Sequence, residues 1–272
     1  MSLVFAGVCS HAPGITARPE TAEPALLEAF YGELERMRKE IKAARPDVLV
    51  VVAAEHFGNF FMNNMPAFAV GMGDGFYGPI EDESFLRIKK RTAPSNRAIA
   101  QKIIESVLHD VDVAFCEEWT FDHGLAVPLR FLNPDDEIPF IPVHINCQAA
   151  PLPPIQRAWV LGEAIRKAAD SMPERVALVG TGGISHWPSS PDSGKINEAW
   201  DREFLGRWVQ NDKQAMLSYT DLDVYRDAGP GGFEIRSFIT VAAAAGGKGS
   251  LYFYAPIPVF AVGCTAATMT IL

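Results

Sequence analysis

The hydrophobic and polar positions of the chain form two alternating patterns. Short, mostly apolar segments, which are typical of buried strands, cover residues 3–9, 48–54, 112–115, 138–145 and 175–180, and residues 48–54 form an unbroken run. Apolar residues at helical spacing occur in residues 24–44, 95–109, 155–171, 198–210 and 233–245. One more strand is expected near residues 258–262. The alternation predicts an α/β fold, a single layered domain over residues 1–272 with a central mixed or mostly parallel twisted sheet flanked by helices.

Residues 57–94 fit neither pattern. The segment is rich in Gly and Pro and is too long for a plain connection, so it predicts a pocket wall rather than a linker. The aromatic side chains expected to line that pocket are Phe60, Phe61, Phe68, Phe76 and Tyr77.

Histidines stand where several apolar runs end. His11, His56 and His186 each follow a predicted strand at the point where the chain turns, and His123 lies in the comparable turn Asp122-His123-Gly124. The carboxyl ends of strands are where open α/β sheets bind ligands. One such histidine alone is more often structural, but four in this setting favour a shared site.

The other two histidines carry weaker signals. His109 lies at a predicted helix end, where a solvent-facing cation is the ordinary interpretation. His144 lies inside a predicted strand, and its side chain could point into the core or into a pocket.

Glu234 follows a glycine turn and opens an apolar helix. An acid there can simply favour the positive end of the helix dipole. However, two imidazoles and one carboxylate on one face of a metal leave three positions open, as in non-haem Fe(II) oxygenases. Glu55 and Asp122 are other acids beside histidines, but adjacent residues on an extended segment point to opposite faces and should not join their own neighbours in one site.

Composition and charge limit the classes of partner and the cell compartment that we expect. The net charge is −9, from 24 basic and 33 acidic residues, so we expect no nucleic acid or anionic membrane partner. No apolar run approaches the roughly 20 residues of a membrane helix. Four scattered cysteines without a CxxC pair suit a reducing compartment, and we expect a cytoplasmic protein.

Five motifs in order resemble the class III extradiol ring-cleavage dioxygenases, the LigB-like superfamily. They are Cys9-Ser10-His11-Ala12-Pro13, Glu55-His56-Phe57-Gly58-Asn59, Asp122-His123-Gly124, Gly183-Ile184-Ser185-His186 and Glu234-Ile235-Arg236. Further motifs, Met65-Pro66-Ala67-Phe68 and Ala150-Pro151-Leu152-Pro153 among them, are most similar to the branch that cleaves 2,3-dihydroxyphenylpropionate. In that branch the region between His186 and Glu234 is longer, and an apolar residue is expected in place of His144.

The resemblance implies that His11, His56 and Glu234 hold Fe(II) and that His123 and His186 are the acid and base near the substrate. The partners would be a small-molecule catechol and O2, and the product a ring-opened semialdehyde. We expect a homo-oligomer, the commoner state of soluble enzymes.

Two other functions stay open: a Zn-dependent hydrolase with the same ligands, and an inactive partner subunit or other interaction protein on the same scaffold. The sequence leaves the catechol, the order of the acid and the base, and the cation for a substrate carboxylate undecided; Arg18, Arg97, Arg157 and Arg236 are the candidates.

Overall fold

The computed structural model describes residues 2–272. Its strands are β1 Leu3–Cys9, β2 Val48–Ala53, β3 Phe68–Gly71, β4 Gly75–Gly78, β5 Arg91–Pro94, β6 Ala114–Cys116, β7 Phe140–Ile145, β8 Val176–Thr181, β9 Gly246–Ile257 and β10 Val262–Ile271. Its helices are α1 Gly14–Ala17, α2 Pro24–Ala44, α3 Glu83–Leu86, α4 Arg97–Val107, α5 His123–Leu132, α6 Ile155–Asp170, α7 Glu198–Gln210, α8 Lys213–Leu217, α9 Asp221–Ala228 and α10 Ile235–Ala245.

Eight strands form one sheet in the order β6-β3-β7-β2-β8-β1-β10-β9, and β4 and β5 form a separate hairpin. The four central strands, β7, β2, β8 and β1, are parallel. Antiparallel pairing begins outside them, where β3 meets β7 and β10 meets β1. This architecture confirms the predicted α/β class with a mostly parallel sheet flanked by helices.

The alternation of side chains along β2 explains how the sheet is covered. Val50 and Val52 point to one face and pack in a cluster with α4, α6 and α10. Leu49 and Val51 point to the other face and pack with α2 and α5. Because side chains of a strand alternate between faces, a strand that is apolar at every position needs a helical layer on both sides.

Helix α2 has the bounds that the sequence predicts, and its local chemistry explains both ends. The Glu23 carboxylate accepts a hydrogen bond from the Leu26 N–H and caps the first turn. Phe30, Leu34 and Met37 lie on its buried face. Arg45 adopts a left-handed conformation, φ 46°, and ends the helix.

Two expectations about the fold are wrong. The strand expected near residues 258–262 starts only at Val262, the first residue of β10: Pro258–Phe260 is a 3-10 turn that joins β9 to β10 in a long antiparallel hairpin. Residues 57–94 are less irregular than expected, since they contain β3, β4, α3 and β5. In the part of the chain that the structure describes, no helix is both long and apolar enough to cross a bilayer.

Candidate active site

Three of the strand-end histidines converge as predicted. His56, His186 and His11 follow β2, β8 and β1, which are neighbouring parallel strands. The carboxyl ends of these three strands therefore lie side by side at the same end of the sheet. A cavity of about 850 Å³ lies there, and these three histidines line it together with His123 and Glu234. The structure therefore brings together all five residues of the predicted site.

Glu234 is the centre of the group. It ends the 3-10 turn Pro230–Glu234, directly before α10, and is only 2% exposed. One oxygen, Oε2, lies 3.3 Å from His11 Nε2, and the other, Oε1, lies 3.4 Å from His56 Nε2. Burial raises the pKa of Glu234, but its interactions with the imidazoles of His11 and His186 outweigh burial and hold the pKa well below its usual range.

The ring of His11 is oriented by Thr181, at the end of β8. The Thr181 hydroxyl donates its hydrogen to the Gly124 carbonyl at 2.8 Å. It can therefore only accept from His11 Nδ1, which lies 3.0 Å away. This fixes the hydrogen of His11 on Nδ1 and leaves the Nε2 lone pair facing Glu234. Burial lowers the pKa of His11 despite the nearby carboxylate, which favours the neutral ring.

The ring of His56 is oriented by Asp122, which caps the first turn of α5. One Asp122 oxygen, Oδ2, accepts from the His56 backbone N–H at 2.7 Å and from Nδ1 at 2.9 Å. Burial lowers the pKa of His56, but Asp122 and Glu234 outweigh it and raise the pKa to about 10. A metal ion that binds Nε2 must therefore displace a proton.

His123 and His186 complete the wall of the cavity. His123 Nδ1 lies 2.6 Å from the Glu81 carboxylate, and its ring stacks on that of His56 with centroids 4.1 Å apart. His186 Nδ1 lies 3.3 Å from the Ile184 carbonyl, to which it can donate. Burial lowers the pKa of His186, and Glu234 only partly offsets this.

The glycine turn before Glu234 makes room for His186. A Cβ atom at Gly231 would overlap the His186 ring, and one at Gly183 would lie 2.5 Å from it. Gly229 has φ 79°, which a residue with a side chain rarely adopts. The sequence Gly229-Pro230-Gly231-Gly232 is thus required by the shape of the site.

Two sets of side chains could hold a metal ion. Ligand atoms of His11, His56 and His123 all lie within 4.8 Å of one another. In the second set Glu234 takes the place of His123: its two carboxylate oxygens lie 3.3 Å from His11 Nε2 and 3.4 Å from His56 Nε2. In both sets His11 and His56 are shared, and the third ligand is either an imidazole or a carboxylate.

His109, His144 and Glu55 do not line the cavity. His144 is buried on β7 against Phe60, and within residues 2–272 neither of its ring nitrogens has a hydrogen-bond partner. Burial lowers its pKa to about 3, so it is neutral. His109 is exposed just beyond α4. Glu55 turns away from the cavity and accepts from the Asn59 backbone N–H, so it is part of a structural turn.

The pocket wall predicted from residues 57–94 is mostly wrong. In this segment, the residues that line the cavity are Phe57, Ser84 and Phe85. None of the five aromatic residues expected there does so: Phe60 is buried, whereas Phe61 and Tyr77 are half exposed.

Sequence reasoning missed the residues that orient the histidines. The sequence predicts that Asp122 does not join its neighbour His123, but it does not predict the contact of Asp122 with His56, 66 residues away. Asp122-His123-Gly124 carries a helix-cap signal that could have placed Asp122 at this turn. Glu81 and Thr181 carried no signal, since their roles depend entirely on tertiary contacts.

Comparisons with known proteins show which family the chain matches. Residues 6–264 match the family model described as the catalytic LigB subunit of aromatic ring-opening dioxygenase. A 2,3-dihydroxyphenylpropionate/2,3-dihydroxicinnamic acid 1,2-dioxygenase of Photorhabdus laumondii is 29% identical and covers 93% of each chain. An enzyme of the same name from Klebsiella pneumoniae is 33% identical over 69% of this chain and 59% of its own.

One solved structure shares the fold. An uncharacterized protein of Escherichia coli K12 superposes with a TM-score of 0.58 at 19% identity, over 87% of this chain and 91% of its own. At that identity the likeness describes the architecture alone.

Proposed function

Because the chain belongs to the family of catalytic LigB subunits of aromatic ring-opening dioxygenases, we propose that it cleaves a catecholic ring next to the diol with O2 at a non-haem Fe(II) site. The observation that carries this proposal is the convergence of two histidines and one buried carboxylate, with two further histidines, on one cavity. The relatives named as 1,2-dioxygenases support the same reaction class.

We assign the metal to His11, His56 and Glu234. Two neutral imidazoles with one carboxylate are the donor set of non-haem Fe(II) oxygenases, whereas three imidazoles are the set of several zinc enzymes. The hydrogens held on Nδ1 by Thr181 and Asp122 make Nε2 the ligand atom of both rings, once His56 has lost its Nε2 proton. Bound Fe(II) would supply the redox chemistry that lets triplet O2 react with a singlet catechol.

We assign the proton transfers to His186 and His123. His186 is kept neutral by burial, and its Nε2 faces the cavity, so it is suited to remove a proton from the catechol. His123 has the Glu81 carboxylate 2.6 Å from Nδ1, which orients the ring towards the cavity, so it is suited to deliver a proton to the oxygen that leaves as the ring expands. Cleavage first inserts one oxygen atom into the ring and gives a lactone. Hydrolysis of this lactone by water then opens the ring.

Oxygen consumption tests the proposal directly. The purified protein is reconstituted anaerobically with Fe(II), and parallel samples receive Zn(II). It is then offered protocatechuate, gallate, 2,3-dihydroxyphenylpropionate and 2-aminophenol. We expect O2 uptake and a visible-absorbing ring-opened product with at least one compound, in the Fe(II) sample alone. No uptake with any of them would contradict the proposal.

Two further expectations stay predictions. A cytoplasmic location is still expected from the four scattered cysteines, all of which are free thiols. A homo-oligomer is still expected, and a sedimentation measurement would test it.

A further inference from the structure

The cavity carries a cation that the proposed chemistry does not use. Of the residues from 2 to 272 that line it, Arg18 is the only Lys or Arg. The other three arginines considered from the sequence do not line the cavity. Arg97 is paired with Glu117 at 2.8 Å, and Arg236 is buried, where it donates to the Pro153 carbonyl and pairs with Asp221.

Arg18 is also without a partner of its own. Its side chain makes no ion pair and no hydrogen bond with any residue that the structure describes, and it is exposed at the cavity. The nearest acid along the chain, Glu20, is held by Arg87 through two hydrogen bonds of 2.8 Å. The local carboxylate that could neutralise Arg18 is therefore already engaged.

The position of Arg18 relative to the metal ligands defines the shape of a ligand. His11 and Arg18 lie on either side of the short helix α1. His11 lies at the buried end of the cavity, where it is 3% exposed, whereas Arg18 is exposed. A ring bound beside His11 would reach Arg18 only through a group that extends from it. The hydrogen bonds from Arg87 to Glu20 hold α3 against the segment that follows Arg18. Phe85 of α3 lines the cavity and offers an apolar contact for such a group.

We propose that Arg18 determines specificity by binding the carboxylate of an aromatic substrate whose acid is carried on a short alkyl chain. This inference rests on the proposed function for the identity of the ring, but the anion site itself does not. An arginine presents a fork of donors that matches both oxygens of a carboxylate. The chain carries a net charge of −9, which repels an anionic substrate unless a local cation opposes it.

Ligand binding to the protein as purified tests the site apart from catalysis. The probes are 3-phenylpropionate and its neutral counterpart 3-phenylpropan-1-ol, measured by calorimetry at low and high salt. The variants are Arg18→Met, which keeps length without charge, and Arg18→Lys, which keeps charge. Arg97→Met is the matched control, because Arg97 lies outside the cavity.

We expect the wild-type protein to prefer the acid over the alcohol. Arg18→Met should weaken binding of the acid about tenfold, a usual effect for a charged hydrogen bond, while Arg18→Lys keeps most of it. Salt should weaken binding of the acid in the wild type more than in Arg18→Met. An unchanged preference for the acid in Arg18→Met would overturn the inference, and so would a wild-type protein that does not distinguish the two probes.

Turnover gives a second readout. In the Fe(II)-loaded enzyme, the ratio of kcat/KM for 2,3-dihydroxyphenylpropionate to that for 3-propylcatechol should fall about tenfold in Arg18→Met, chiefly through KM, and should not change in Arg97→Met. An unchanged ratio would contradict the role of Arg18. If no catechol is turned over, the proposed function fails, and calorimetry alone decides whether Arg18 binds the acid.

Discussion

His56 and His144 lie at similar positions on adjacent strands but have opposite chemistry. His56 follows β2 at the cavity, bonded to Asp122, and its pKa is raised to about 10. His144 lies within β7, paired beside Ala53 of β2, and burial with no hydrogen-bond partner in residues 2–272 lowers its pKa to about 3. Both rings have lost most of their water. The comparison teaches that, for these two rings, the carboxylate partner rather than burial sets the direction of the pKa shift.

The largest effects should come from the two cavity histidines that are not assigned to the metal. Replacing His123 or His186 by Ala should lower kcat by about 10²–10⁴, the range for a positioned acid–base group, while iron content stays near that of the wild type. Steady-state kinetics and metal analysis on the same samples measure both. His144→Phe is the control and should keep normal turnover. Near-normal turnover in either Ala variant would show that its histidine is structural.

Asp122→Asn tests whether the carboxylate partner makes His56 a ligand. The amide keeps the shape of the side chain but removes the charge that holds the His56 hydrogen on Nδ1. Metal affinity should fall about 10–100-fold, as is usual when the partner of a ligating histidine is lost. Competition with a chelator measures the change. An affinity within twofold of the wild type would mean that Asp122 only caps α5.

Asp201 extends the comparison to a buried carboxylate with neutral partners. It accepts from the Ser185 N–H at 2.8 Å and from the Tyr254 hydroxyl at 2.7 Å, and burial raises its pKa to about 6. In the unfolded chain the pKa is about 4. The folded state therefore keeps a proton that the unfolded state loses, and the stability from this group is lost as pH rises from about 4 through about 6. The loss is about 2–3 kcal/mol.

Urea unfolding of wild type and Asp201→Asn between pH 4.5 and 7.5 measures that loss. The amide cannot ionise, so the variant should gain stability relative to the wild type as pH rises. A difference between the two proteins that is independent of pH would exclude the raised pKa.

His144→Phe should have the smallest effect. The two unpartnered ring nitrogens of His144 are buried, and removing such groups normally leaves stability unchanged or raises it by about 1 kcal/mol. Thermal or urea unfolding checks this. A loss of stability above about 2 kcal/mol would indicate that the ring is hydrogen-bonded in solution.

The sequence could predict features that depend on short-range patterns. Helix α2 and the central strands follow from apolar spacing, and the convergence of His11, His56 and His186 follows from their place at the ends of parallel strands. Strand β9 is not predicted because its first five residues are Gly, Lys and Ser, and its apolar residues are only partly buried, so they do not show the pattern of a core strand.

The contacts that tune the site could not be predicted in this way. Asp122 reaches His56 across 66 residues and Glu81 reaches His123 across 42. Such pairs depend on how the loops fold over the sheet edge. The same holds for Arg18, whose place at the cavity is decided by α1 and by the pairing of Glu20 with Arg87.

The assignment of the third metal ligand is the central claim, and the metal content of two variants tests it most directly. Wild type, Glu234→Ala and His123→Ala are reconstituted anaerobically with Fe(II), desalted and analysed for iron, with circular dichroism to confirm that each is folded. We predict close to one iron per chain in the wild type and in His123→Ala, and little iron in folded Glu234→Ala. The reverse result, with iron retained in Glu234→Ala and lost in His123→Ala, would contradict the account and favour the three-histidine set.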